Sequence, residues 1–370
     1  MKKKLSMLVA CAMLLALLAA CGGNNGGNSG SNGGGSSGSS ASNGGSNAQS
    51  GQDSGKSDGD KIVIGAAYYD LTNNFYVNMM TAGEEAAEDF GVEVIFKSAE
   101  GSLDSEISII ENFIEQGVDC ILVDPIDAAG VVPVFQEAYE AGIPIVSIGN
   151  FVDTEFNYNV LYNDYEDTYK IGKYVAEKIG GAGDVALIYG NSGNYVSDQR
   201  QAGFEAAMAE YPDISLVSQP ADFDATKGMT VAGDLMNANP ELKAIHSVSD
   251  GVSYGVLQAM QSAGKADSIM LTSYDGEQEA SDLVSSGDIE MTLLTGSKRV
   301  GYWSVKIGAQ LARGEDLPQK NYMPTYFVMG EEAEKMMVEK GIVEVERILG
   351  PAEGREMFDG YRADLGPDAD

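Results

Sequence analysis

Ile62-Val63-Ile64-Gly65-Ala66-Ala67 is an unbroken apolar run, the mark of a strand buried on both faces of a parallel sheet. Phe75, Met79, Ala82, Ala86 and Phe90 follow at the period of an α-helix, and Gly91 stands where a C-cap glycine ends one. Val92, Val94 and Phe96 then alternate as the next strand. A strand, a covering helix and a second strand in so short a stretch form a βαβ unit, and that unit requires a parallel sheet.

Working outward toward the C-terminus, the same unit recurs. Ile107, Ile110 and Ile114 lie on a helix, Cys120–Val123 reads as a strand, and a helix over 128–141 closes at Gly142 before the strand 143–148. The pattern pauses over 151–165, a polar and aromatic stretch with a weak strand at 160–162. It then restarts: helices at 166–179, 197–211, 226–238, one ending at 263, and at 277–286 and 299–313 alternate with strands at 185–189, 214–217, 244–248, 269–273 and 289–294. So many units exceed one open sheet. The expected fold is α/β, with two doubly wound parallel-sheet lobes joined by crossover hinges and a ligand cleft between them. The first lobe is assigned 61–162 plus 296–328, the second 163–295, and a C-terminal helix (331–339) with an acidic tail takes 329–370.

Toward the N-terminus, Lys2-Lys3-Lys4 precedes an apolar stretch too short to span a bilayer comfortably, and this reads as a signal peptide over 1–20. It runs into Leu18-Ala19-Ala20-Cys21-Gly22, which resembles the bacterial lipobox, so Cys21 is expected to carry lipid, palmitate among its acyl chains. Cleavage by ordinary signal peptidase, or a retained anchor helix, is the competing reading. The Gly, Ser and Asn tract that follows to residue 60 buries too little apolar surface to order itself and is expected to be a tether. The expected location is therefore the extracytoplasmic face of the bacterial cell membrane. Cys11 leaves with the signal, which leaves Cys120 as a small buried hydrophobe with no disulfide partner.

Asp and Glu number 56 against 23 Lys and Arg, a formal net charge of −33 that repels a phosphate backbone and argues against nucleic acid. His246 is the single histidine, so triads and histidine-ligated zinc sites have little to build on. Neither metal nor cofactor is expected. Gly190-Asn191-Ser192-Gly193 departs from the Gly-x-Ser-x-Gly elbow, and no nucleophile–base pair is evident.

From about residue 61 to 328 the chain resembles the type I periplasmic-binding-protein family, in its sugar-binding branch with the ribose- and galactose-binding proteins. The resemblance is carried, in order, by Asn73-Asn74-Phe75-Tyr76, Val123-Asp124-Pro125-Ile126-Asp127, Gly142-Ile143-Pro144-Ile145-Val146, Arg200-Gln201-Ala202-Gly203-Phe204, Gln219-Pro220-Ala221-Asp222-Phe223-Asp224 and Tyr274-Asp275-Gly276. It implies a cleft in which aromatic rings cover the C–H faces of a sugar while charged groups bond its hydroxyls. By matching position, Phe75, Tyr76 and Phe223 are the stacking aromatics, and Asn73 is a polar neighbour. Asp124, Arg200 and Asp275 are the charged contacts. Asn150, Asn191, Ser249 and Thr295 are polar contacts, with Ser249 and Thr295 standing where asparagine and glutamine are common in the family.

One departure bears on the ligand: where family members often carry Asp-Arg, this chain has Gly149-Asn150. Tyr68, Tyr69 and Tyr195 add to the aromatic surface expected of the cleft. Structural alternatives stand beside these roles: Phe75 as core, Asp275 as a helix cap, Arg200 in an internal ion pair. Trp303 and His246 read as structural. The resemblance implies a non-enzymatic, monomeric receptor that captures a sugar or polyol and hands it to an ABC permease and its ATPase. The alternative is a receptor for chemosensory or two-component signalling.

Overall fold

The computed structural model describes residues 61–362; the expected signal, Cys21, the tether and the last eight residues of the tail, 363–370, lie outside them. The first half of the described chain runs β1 (Val63–Tyr68), α1 (Asn74–Phe90), β2 (Glu93–Ser98), α2 (Leu103–Gln116), β3 (Cys120–Val123), α3 (Val132–Glu140), β4 (Ile145–Ile148) and β5 (Tyr158–Leu161). There follow α4 (Asp164–Lys178), β6 (Ala182–Tyr189), α5 (Tyr195–Met208), β7 (Asp213–Pro220), α6 (Ala225–Ala238), β8 (Leu242–Ser247), α7 (Asp250–Ser262) and β9 (Met270–Thr272). The remainder is α8 (Gln278–Ser286), β10 (Met291–Leu294), α9 (Ser297–Ala312), β11 (Lys320–Tyr322), β12 (Tyr326–Met329), α10 (Glu331–Glu339), β13 (Ile348–Leu349) and α11 (Pro351–Asp359).

These strands make two sheets. A six-stranded sheet, all parallel, has the order β11-β5-β4-β3-β1-β2, and a seven-stranded sheet has the order β13-β12-β10-β9-β8-β6-β7. In the second sheet only the β10–β12 pair is antiparallel among the described pairings. Both sheets are covered on both faces. In β3, Cys120 and Leu122 join the cluster under α1 and α9, while Ile121 and Val123 join the one under α2 and α3. The second sheet lies between α4, α5 and α10 on one side and α6 and α7 on the other. Each large aliphatic or aromatic side chain so buried stabilises the fold by about 1.5–3 kcal/mol. Close packing reaches the backbone where α1 meets α9: a Cβ on Gly301 would lie 2.1 Å from the Met79 carbonyl oxygen, so only glycine allows that approach.

The chain passes between the lobes three times, after β5, after β10 and between β11 and β12. The last crossing corrects the expected boundary. Residues 326–328, assigned from sequence to the first lobe, form β12 in the second sheet, antiparallel to β10 from Tyr326 opposite Leu294 to Met329 opposite Met291. The segment after 329 also belongs to that sheet through β13, which pairs with β12. An apolar run says that a strand is buried but not which sheet it enters.

From this base the C-terminal segment reaches the other lobe. Phe358 of α11 packs with Leu294 and Val328 of the second lobe. Tyr361 sits edge-on to Tyr302 of α9, ring centroids 5.8 Å apart, and its hydroxyl bonds the Glu85 carboxylate on α1. Arg362 pairs with Glu85 and with Asp89, the latter at 3.2 Å. Beside this contact Trp303 lies 8% exposed in the first-lobe core, its ring 3.8 Å beneath the Lys306 ammonium. His246 is fully buried, stacked on Phe204 at 4.6 Å, and desolvation depresses its pKa to about 3, so it is neutral structure. Cys120 is buried and unpaired.

Candidate ligand-binding site

The carboxyl ends of the strands in both sheets open onto one cavity of about 1230 Å³. All four non-glycine residues with positive φ among the described residues line it: Glu100, Asp222, Phe223 and Asp275. Such backbone costs of order 1–3 kcal/mol per residue and persists where the surroundings hold it, which marks this cavity as a built site.

In the first lobe, Asn73 caps α1: its side-chain oxygen accepts from the Phe75 backbone N–H at 2.9 Å. That cap fixes Phe75 and Tyr76 in the first helical turn, where both line the cavity. Their rings meet edge to face at 5.5 Å, and Tyr76 stacks on Tyr69 at 6.1 Å. Tyr68 is fully buried beneath and adds nothing to the cavity wall. The Tyr76 hydroxyl bonds Asp124, which also accepts from Asn150 Nδ2 at 2.7 Å. Desolvation raises the Asp124 pKa to about 6 against the lowering effect of these bonds and of Arg200.

In the second lobe, the Arg200 guanidinium lies over the Tyr274 ring, 3.7 Å from its centroid. Its Nε donates to Asp164 Oδ1 at 2.8 Å, and Nη1 donates to Asp275 Oδ1 at 2.8 Å and to the Val248 carbonyl at 2.7 Å. Burial raises the Asp275 pKa while Arg200 opposes the rise. Arg200 is thus both the expected cavity residue and the centre of an internal ion-pair network. Phe223 is wedged against Gly190, where a Cβ would come within 2.3 Å of the ring, so the glycine sets the ring's position. Ser249 lines the cavity and caps α7 by accepting from the Val252 N–H at 3.3 Å.

Groups from the two lobes meet over the cavity. Val196 N, at the start of α5, donates to Asn150 Oδ1 at 3.1 Å. Asn78 Nδ2 of α1 donates to Glu277 Oε2 at 2.8 Å. The rings of Phe151 and Tyr195 pack at 5.7 Å. The lobes are closed on one another.

Of the positions singled out from sequence, Asn73, Phe75, Tyr76, Asp124, Asn150, Arg200, Phe223, Ser249 and Asp275 line the cavity. Two do not. Thr295 is fully buried at the second crossing, where its hydroxyl donates to the Asp275 carbonyl at 3.3 Å, because the turn after β10 points it into the hinge. Asn191 meets the Tyr69 side chain across the cleft rather than lining the cavity. Tyr195 likewise packs on Phe151.

Sequence reading missed Asp164, Tyr162, Tyr254 and the Asn78–Glu277 pair. An acidic first residue of a helix looks like helix-end electrostatics, so nothing marked Asp164 as the partner of Arg200.

Comparison with known proteins gives a consistent result. A model of the periplasmic binding protein domain matches residues 64–316. The ribose import binding protein of Salmonella typhimurium is 27% identical over 266 residues, 70% of this chain and 88% of that protein. A periplasmic solute-binding protein of an ABC transporter from Actinobacillus succinogenes, solved with bound D-allose, superposes with a TM-score of 0.70 at 28% identity. That match covers 74% of this chain and 100% of the other. A solute-binding protein from Bacillus halodurans, solved with bound myo-inositol, gives a TM-score of 0.71 at 26% identity, covering 77% of this chain and 100% of the other.

Proposed function

Because the chain belongs to the periplasmic binding protein family, we propose that it captures a sugar or polyol outside the cytoplasm and delivers it to an ABC transporter permease. The observation that carries this reading is the closed cavity itself, in which Phe75 and Phe223 come from opposite lobes beside the charged set Asp124, Arg200 and Asp275. Aromatic faces match the C–H surfaces of a ring, and ionised groups form hydrogen bonds about twice as strong as neutral ones. Binding is coupled to closure, since cavity residues of one lobe bond the other directly. The role is capture and transfer rather than catalysis, in keeping with the binding proteins to which the chain is similar. The cavity is complete within one chain, which supports action as a monomer.

Thermal-shift screening of sugars and polyols, followed by calorimetry on the hits, tests the function; absence of any binder in such a set overturns it. The lipobox supports anchoring through Cys21 on the outer face of the cell membrane. Cys21→Ala is expected to abolish membrane retention or leave the precursor unprocessed, and normal processing and retention would refute the anchor.

A further inference from the structure

The charge balance inside the cavity is one-sided. Among the described lining residues the cations are Arg200 and Lys298. Neither is free: Lys298 pairs with Asp359 at 3.1 Å, and Arg200 is divided between two carboxylates, Asp164 and Asp275. The Arg200 cluster therefore carries net negative charge before any other group is added. Asp124, 7% exposed and lining the same cavity, takes its hydrogen bonds from neutral groups, the Tyr76 hydroxyl and the Asn150 amide, and feels the charge of Arg200 without a bond to it. Glu277 adds a further carboxyl group, bonded by Asn78 Nδ2 at Oε2 and flanked by Ser297, again with neutral partners in contact.

A neutral polyol can donate hydroxyls to these oxygens, yet it leaves the buried negative charge uncompensated when closure removes the water. A cation on the ligand removes that penalty. No group of three or more His, Cys, Asp or Glu side chains that could hold a metal ion occurs among the described residues, which favours an organic cation. We propose that the ligand is a polyhydroxyl compound bearing a protonated amine, an amino sugar or amino polyol, with the ammonium held by Asp124.

This rests on the solute-binding reading and narrows it. The two are separated by calorimetry on the full chain with matched ligands: D-glucose, D-allose and sorbitol, the 2-amino-2-deoxy forms of the two hexoses, and 1-amino-1-deoxysorbitol. The N-acetylated form of each amino sugar serves as a control of similar bulk without charge. The expected result is at least tenfold tighter binding of an amine than of its neutral parent. The preference should be lost on N-acetylation and reduced to less than threefold in Asp124→Asn. A neutral sugar or polyol binding as tightly as its amine overturns the inference and leaves the solute-binding function standing. An amine preference that survives intact in folded Asp124→Asn overturns the role of Asp124. Failure of every compound to bind overturns both the inference and the function on which it rests.

Discussion

Asn150 and Val196 belong to different lobes, and the Asn150 side chain joins them: its Oδ1 accepts from the Val196 backbone N–H at 3.1 Å while its Nδ2 donates to Asp124 at 2.7 Å. One amide therefore both orients a cavity carboxylate and ties the lobes together. Asn150→Ala removes a bond to a charged group, worth about 1.5–3 kcal/mol, and a neutral one worth about 0.5–1.5 kcal/mol. Ligand affinity is expected to fall tenfold or more by calorimetry with the fold retained by circular dichroism. Unchanged affinity would show that the bridge does not couple closure to binding.

The aromatic pair should carry much of the binding energy. Phe75→Ala and Phe223→Ala are each expected to weaken binding by roughly 2–4 kcal/mol, the range of interface hot spots. Gly190→Ala tests the same ring indirectly, because its Cβ would force Phe223 away from its present position. It should reduce affinity without touching the ligand.

The pH dependence of stability follows from the buried acids. Asp124 titrates near 6, above the ordinary aspartate value of about 3.9, so between those values the folded state binds more protons than the unfolded one. Stability attributable to Asp124 therefore falls as pH rises from about 4 to about 6 and is level above that, a loss on the order of 2–3 kcal/mol. Glu277, raised to about 7, and Glu106, raised to about 8, both mainly by desolvation, act in the same direction at higher pH. The unliganded protein should melt at a higher temperature at pH 5 than at pH 7.5, and Asp124→Asn should flatten part of that slope. A melting temperature that rises steadily from pH 5 to 7.5 would contradict these assignments.

The C-terminal segment offers a separate test of closure. It is rooted in the second sheet through β13 yet binds Glu85 and Asp89 on α1 through Tyr361 and Arg362. Replacing Glu85 and Asp89 with alanine removes partly exposed pairs, each worth about 0.2–1 kcal/mol. The melting temperature should change little. The unliganded protein should shift toward a more open form with a larger radius of gyration in solution scattering, and affinity should fall severalfold. No change in scattering would assign the segment a purely local role.

Much of the fold was legible because buried parallel strands are short apolar runs between helices, as in Ile62–Ala67 and Cys120–Val123, and Gly91 marks the end of α1 with its left-handed backbone. The third crossing was not legible, because Tyr326–Met329 is apolar enough for either sheet and its pairing with β10 depends on chain far away in sequence. Local motifs located Asn73, Phe75 and Tyr76, whose placement follows from one helix cap. They could not reveal that Thr295 turns into the hinge, nor that Asp164 holds Arg200, since both depend on how two crossings bring separate elements together.

The chain contains a single tryptophan, and Trp303 places it on α9 just beyond the second crossing, next in sequence to the Tyr302 ring that Tyr361 touches. Emission excited beyond the tyrosine band therefore comes from one indole rather than from an average over the molecule. That indole lies beneath the Lys306 ammonium and beside the Tyr302 ring against which the second lobe's C-terminal segment packs. The protein thus carries its own spectroscopic reporter at the joint, readable in the native sequence without a label.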